Sequence, residues 1–182
     1  MPGNWGYLGS DVKSYLTENF NNSSSILDVG CGHGFYKKLL NDYFYKFDAV
    51  EIWKPYIEEY NLYELYDNVY NIDIMDFEFD WYDIIIIGDV LEHLSRNDAQ
   101  TLLTKLENKC QELIVVVPYY LPQGEVFGNK YEIHLQPDLD DTIMAEYYPM
   151  LELINHNGKE FKIPIEVGTN YYYYCAFKKK IN

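Results

Sequence analysis

The stretch Ser24-Ser25-Ile26-Leu27-Asp28-Val29-Gly30-Cys31-Gly32-His33-Gly34 sets a short apolar run directly before three glycines spaced two apart. An amphipathic pattern begins at once after it, with Phe35, Leu39, Leu40, Tyr43 and Phe44. This order predicts a buried strand, a glycine turn and a helix. Glycine tolerates positive φ and lets a ligand approach the backbone without meeting a β-carbon. The helix that follows turns its free N–H groups and positive dipole end toward the turn. A nucleotide-like or carboxylate-bearing ligand would fit there, at the end of the first strand of an α/β sheet. A tight turn with no ligand needs the same glycines, so the rest of the chain must decide.

Outward from the turn, strands and helices alternate. A helix is expected over 10–20, with Ser10 as N-cap and Asp11 in its first turn. A second strand covers 47–53, and Pro55 opens a helix to about 66. A third strand covers 69–74. The fourth, 82–88, is apolar on both faces, as a central parallel strand should be. Ser95-Arg96-Asn97-Asp98 resembles a capping box for a helix ending near residue 110. A fifth strand over 113–117 is closed by Pro118, and residues 119–137 read as a loop. A helix over 139–147, a strand over 151–155, an Asn157-Gly158 turn and a last strand over 171–177 complete the chain. The expected class is α/β with a doubly wound, mainly parallel sheet. One domain is expected over 1–182: an N-terminal helix or lid (1–23), a ligand-binding core (24–118), and an acceptor-side loop with C-terminal strands (119–182).

The 29 acidic against 14 basic residues give a net charge of −15, which repels phosphate backbones. DNA is therefore not expected as a partner, and RNA is disfavoured. The single basic cluster, Lys178-Lys179-Lys180, reads as a solvated strand end. Cys31, Cys110 and Cys175 show neither a disulfide framework nor metal-ligand spacing. The N-terminus lacks a secretory pattern and the longest apolar run, 84–87, is far too short to span a membrane. A cytoplasmic protein with no membrane partner is expected, and nothing in the sequence fixes its oligomeric state.

In doubly wound sheets, ligands bind beyond the carboxyl ends of the strands. Here those ends carry Asp28 and the glycine turn, Glu51, Asp73 followed by Ile74 and Met75, and Gly88-Asp89-Val90-Leu91-Glu92-His93. A carboxylate after the second strand can accept from both hydroxyls of a ribose. One after the third can accept from an adenine amino group, with Ile52, Ile74 and Met75 placed to sandwich the base.

Taken together, Leu27–Gly34, Val50-Glu51-Ile52, Ile72-Asp73-Ile74 and Asp83–Leu94 resemble the successive motifs of class I S-adenosylmethionine-dependent methyltransferases. The resemblance covers residues 24–120 well and the remainder loosely. It implies a seven-stranded sheet whose final strand, over 171–177, runs antiparallel. It implies S-adenosyl-L-methionine as cofactor, with Asp28, Gly30, Cys31, Gly32 and Gly34 at its methionine part. Glu51 with Ile52 would hold the ribose, and Asp73, Ile74 and Met75 the adenine. Gly88 and Asp89 would flank the methyl-transfer cleft. A nicotinamide-dependent dehydrogenase is the competing class, but its fingerprint sets two residues between the second and third glycines, where this chain has only His33. A binding module that kept the pocket without catalysis is a third class.

Gly-Asp-Val-Leu after the fourth strand differs from the Asn/Asp-Pro-Pro-Tyr segment of base-methylating enzymes. It is more like small-molecule and sugar methyltransferases, which favours an oxygen over a nitrogen acceptor; a protein or RNA terminus is the alternative. Methyl transfer is an in-line displacement that needs an aligned acceptor and a base for a hydroxyl proton. His93 and His134 are the candidate bases, with Asp89 beside them. Trp5, Tyr7, Tyr119 and Tyr120 are candidate walls of the acceptor pocket, His156 reads as surface, and Cys31 as a small turn residue. Asp89, Glu92, His93 and His134 also resemble the two acids and two histidines that bind a divalent ion such as Mg²⁺ in plant small-RNA terminal methyltransferases. Glu-His-Leu at this place is common in the family without a metal, so the metal-free reading stands first.

Overall fold

The four isoleucines at 84–87 form the middle of the sheet, each with no exposed surface. The computed structural model describes residues 8–154, 161–167 and 170–179. In chain order its elements are α1 (Gly9–Asn19), β1 (Ser25–Val29), α2 (Phe35–Leu40), β2 (Lys46–Val50), α3 (Lys54–Glu59), α4 (Leu62–Leu65), β3 (Asn68–Tyr70) and β4 (Tyr82–Gly88). After a 3₁₀ turn (Leu91–His93) come α5 (Arg96–Leu106), β5 (Cys110–Tyr119), a second 3₁₀ turn (Lys130–Glu132), α6 (Asp141–Tyr147), β6 (Leu151–Leu153), β7 (Phe161–Val167) and β8 (Asn170–Lys179).

The sheet order is β3-β2-β1-β4-β5-β8-β6, with β7 also on β8. β3 to β5 are parallel, and β8 runs antiparallel to β5. β6 pairs with residues 177–179 of β8 and β7 with residues 170–174, so the two occupy successive parts of its edge away from β5. Eight strands thus fill seven columns, with the antiparallel strand next to last. The doubly wound expectation holds.

Alternation along each strand divides the core between the two faces. Leu27, Val29, Ile85 and Ile87 pack with Ala99, Leu102, Leu103, Leu106 and Met144 from α5 and α6. Ile26, Ile84 and Ile86 pack with Val12, Leu16, Tyr36, Leu40, Ile57 and Leu62 from α1 to α4. Burying apolar faces on both sides of the sheet is the main stabilising term for such a layer.

Local differences from the sequence expectation have local causes. The helix expected over 54–66 breaks at Asn61, whose φ of 51° is left-handed, and continues as α4. Asn tolerates that conformation better than other non-glycine residues. The third strand stops at Tyr70 because Asn71 donates its side-chain amide to the carbonyls of Glu51 and Ile52, and Asp73 turns the chain. β5 runs straight through Pro118, in register with Tyr174 of the antiparallel strand. β7, over a stretch that contains Pro164, was not anticipated. Trp5, Tyr7, His156 and the Asn157-Gly158 turn lie outside the described residues.

Candidate active site

The glycine turn is fixed from behind by backbone and from in front by one carboxylate. The N–H groups of Gly30 and Cys31 donate to the carbonyl of Val50, which ties the turn to the end of β2. Glu51 then reaches across: one oxygen accepts from Gly32 N–H at 3.0 Å, the other from Trp53 N–H at 2.8 Å. Glu51 is buried, and desolvation raises its carboxyl to about 7 against the pull of those two donors. Gly30, Gly32 and Gly34 all have positive φ. A β-carbon on Gly32 would meet open space, whereas one on Gly30 would strike Val90 and one on Gly34 would strike Leu65. Gly32 is therefore the glycine that presents bare backbone to a ligand.

Beyond β4 the chain turns at Asp89, whose φ of 53° is left-handed and whose N–H donates to Val116 at 2.9 Å. Gly88 before it accommodates the ring of Tyr36 against the strand end. Both carboxylate oxygens of Asp89 and both of Glu92 are buried with no hydrogen-bond partner among the described residues. Burial drives both acids well above the ordinary carboxylate range, and their proximity raises Glu92 further. The His93 and His134 rings meet edge to face with centroids 4.7 Å apart. Burial lowers both, His93 to about 4, so both are neutral imidazoles near pH 7.

Residues 119–137 fold over this corner as a held strap. The N–H groups of Leu135 and Gln136 both donate to the carbonyl of Glu92, and buried Gln136 donates to the carbonyls of Leu91 and Leu94. Tyr148 donates to the same Gln136 side chain at 2.6 Å. Across the mouth, the hydroxyl of Tyr56 donates to Glu132 at 3.0 Å. What is enclosed is one cavity of about 590 Å³, walled by the glycine turn, Glu51, Ile52, Asp73, Asp89, the two histidines and this strap. That volume suits a ligand-binding site for a cofactor-sized molecule.

Residues 27–111 match the family model described as "Methyltransferase domain". Over those residues the chain is similar to a methyltransferase domain. Among solved structures, an S-adenosylmethionine-dependent methyltransferase from Clostridium acetobutylicum is similar at a TM-score of 0.68 and 13% identity, over 98% of this chain and 93% of that one. The magnesium protoporphyrin IX methyltransferase of Synechocystis with bound SAM gives 0.63 and 14%, over 94% and 78%. The Burkholderia thailandensis 1,6-didemethyltoxoflavin-N1-methyltransferase gives 0.63 and 12%, over 97% and 80%. At these identities the likeness is one of fold. No curated protein sequence matches this one.

The cavity wall includes Gly30, Cys31, Gly32, Glu51, Ile52, Asp73, Ile74, Gly88, Asp89, Glu92, His93 and His134. Asp28, Gly34 and Met75 are not on it, contrary to the sequence expectation. Asp28 shares a sheet face with Ile26 and binds the Tyr66 hydroxyl at 2.6 Å. Gly34 faces Leu65, and Met75 packs against the core with its N–H on Asp73. Tyr119 and Tyr120 are not on the wall either; their hydroxyls donate to Asp141 and Asp140. The four-residue acid and histidine set contracts to Glu92, His93 and His134, whose ligand atoms lie within 4.8 Å of one another, without Asp89. Sequence reasoning missed Tyr36, Tyr56 and Glu132. Among 20 tyrosines no local pattern sets Tyr36 and Tyr56 apart, and Glu132 sits two residues before His134 with no spacing signal of its own.

Among the described residues no helix is long and apolar enough to cross a membrane. Cys31, Cys110 and Cys175 are not in disulfides.

Proposed function

We propose that this protein transfers a methyl group from S-adenosylmethionine to a hydroxyl of a small organic or sugar acceptor. The observation that carries the reading is the single cavity that runs from the glycine turn and Glu51 to the His93–His134 pair. The residues present fit the cofactor: Gly32 offers backbone with no β-carbon in the way, and Glu51 and Asp73 stand on the wall between apolar Ile52 and Ile74. Bound there, S-adenosylmethionine supplies an electrophilic methyl carbon on a sulfonium. Gly30, Cys31 and Gly32 hold its methionine part, Glu51 accepts from the ribose hydroxyls, and Asp73 with Ile52 and Ile74 receives the adenine.

The chain's own contribution is alignment and proton handling. The acceptor enters under the 119–137 strap, and its hydroxyl proton passes to the lone pair of His93 or His134. Asp89 flanks the same space from its strained turn. The strap, pinned through Gln136 and bridged by Tyr56 and Glu132, keeps water from the reacting atoms. Mitomycin 7-O-methyltransferase and the toxoflavin N1-methyltransferase share the fold and are named for small organic acceptors, one at oxygen and one at nitrogen. The oxygen preference proposed for this chain rests on its neutral histidine pair. The charge of −15 argues against nucleic acid, and three cysteines outside any disulfide suit a cytoplasmic protein.

Calorimetric titration with S-adenosylhomocysteine, on the native protein and on Glu51→Ala, tests the cofactor site. Micromolar binding that the variant loses is the expected result. A folded native protein that binds none, but binds a nicotinamide dinucleotide, would overturn the proposal. Release of S-adenosylhomocysteine from the methyl donor across a panel of hydroxylated acceptors then tests the reaction.

A further inference from the structure

Glu92 presents a difficulty that the methyl-transfer reading leaves unsolved. Its side chain is 1% exposed and neither oxygen has a hydrogen-bond partner among the described residues. A buried carboxylate in that condition is costly unless something positive sits beside it. Two imidazoles stand close to it. Nδ1 of His93 lies 3.2 Å from the carbonyl of Ile133, and Nδ1 of His134 lies 2.6 Å from the carbonyl of Leu121. A carbonyl can only accept, so each Nδ1 carries the proton and donates. That leaves Nε2 of each ring as a bare lone pair. His93 Nε2 stands 4.0 Å from a Glu92 oxygen, too far for a hydrogen bond.

A carboxyl group and two imidazole lone pairs thus converge, and a cation that displaced the carboxyl proton would find an electron pair on each. One ligand atom from each of Glu92, His93 and His134 lies within 4.8 Å of the others. Around a tetrahedral ion with bonds of about 2.1 Å the ligand atoms stand about 3.4 Å apart, so side-chain rotations that close the gaps by about an ångström would bring all three onto one ion. Imidazoles that ligate metals commonly donate their other N–H to a backbone carbonyl, which both rings do here.

We infer that Glu92, His93 and His134 form a site for a divalent transition metal of the Zn²⁺ class at the acceptor end of the cavity. Two nitrogens and one carboxylate suit Zn²⁺, Mn²⁺ or Fe²⁺ better than Mg²⁺, which prefers oxygen ligands. Asp89 is not among the ligands, and the metal-free reading that stood first for the sequence gives way to a metal site. All three ligands line the cavity, so three protein bonds leave a position open toward the acceptor. The purpose of the site rests on the methyl-transfer reading: with the ion bound, an acceptor oxygen at that open position would lose its proton more readily, the carboxylate of Asp89 on the same wall would receive it, and the imidazoles would hold the ion in place of acting as bases.

The test uses the full chain, stripped with a chelator and desalted, then titrated separately with ZnCl₂, MnCl₂ and MgCl₂. The same preparation is titrated with S-adenosylhomocysteine. One Zn²⁺ per chain, with MgCl₂ at least a hundredfold weaker, is expected. Glu92→Gln and His134→Ala should each weaken Zn²⁺ at least tenfold. Asp89→Asn should change it less than threefold. Glu92→Gln keeps the side-chain shape and removes the buried acid, so the metal-free variant should melt no lower than the metal-free native protein, which separates lost ligation from misfolding. Zn²⁺ affinity that is absent, or unchanged in both ligand variants, overturns the site. If S-adenosylhomocysteine still binds in that case, the methyl-transfer proposal stands without the metal.

Discussion

The hydroxyl of Tyr66 donates to the carboxylate of Asp28 at 2.6 Å, and both residues are buried. Asp28 lies in β1 and Tyr66 just after α4, so one hydrogen bond joins the first strand to the helix that covers it. Desolvation raises Asp28 to about 7, and the Tyr66 donor offsets part of that. Removing the phenol leaves a buried carboxylate without its donor. Tyr66→Phe should cost about 1–3 kcal/mol in a denaturant melt at pH 8.5, and less at pH 5.5, where the carboxyl is neutral.

Asp28 and Glu51 both sit near 7 instead of in the ordinary carboxylate range. A carboxyl raised on folding favours the folded state fully below its ordinary value, and that contribution fades as pH rises through the folded value. The ligand-free protein should therefore melt lower at pH 8 than at pH 5.5, a window above the titration of exposed acids. About 2–4 °C is expected for each kcal/mol in a chain of this size. Asp28→Asn should flatten the decline. A melting temperature that climbs over that interval would contradict the burial cost assigned to these acids.

The glycines of the first turn should separate into two kinds. Gly32→Ala puts a methyl into the cavity, and its expected effect is at least a tenfold loss of S-adenosylhomocysteine affinity with a modest drop in stability. Gly34→Ala combines a left-handed φ of 78° with a clash on Leu65, away from the cavity. It should destabilise the fold by about 2 kcal/mol or more while leaving whatever folded protein remains able to bind. Thermal melts with and without ligand distinguish the two.

Ribose hydroxyls donated to Glu51 would favour its charged form. Binding of S-adenosylhomocysteine at pH 7 should then release about half a proton, because a group near 7 is about half protonated there. Calorimetry in two buffers of different ionisation enthalpy reads this directly. Affinity should be higher at pH 8.5 than at pH 6, and Glu51→Gln should abolish the difference.

Much of the fold was legible in hydrophobic runs. Residues 84–87 could only be a strand buried on both faces, and the glycine turn announced the helix after it. β7 was missed because Pro164 interrupts its alternation; proline is tolerated there since, among the described residues, the strand pairs only with β8. The site was legible as a set of strand ends, but spacing cannot say which face a side chain takes. Asp28 lies two residues before Gly30 yet turns to the opposite side, toward Tyr66, because it shares parity with Ile26. The unpartnered state of Glu92 depends on a strap more than forty residues away, and no local pattern carries that information.

Gly88 and Gly30 both hold off a bulky neighbour, Tyr36 in one case and Val90 in the other. Only Gly30 is also left-handed, at φ 65°. A genetic screen would treat them differently. Alanine at Gly88 should be suppressed by a smaller residue at Tyr36, since the obstacle is a ring that can be removed. Alanine at Gly30 should find no suppressor at Val90, because trimming that side chain leaves the backbone demand in place. Over evolutionary time the first glycine can be exchanged together with its partner, while the second can only be kept.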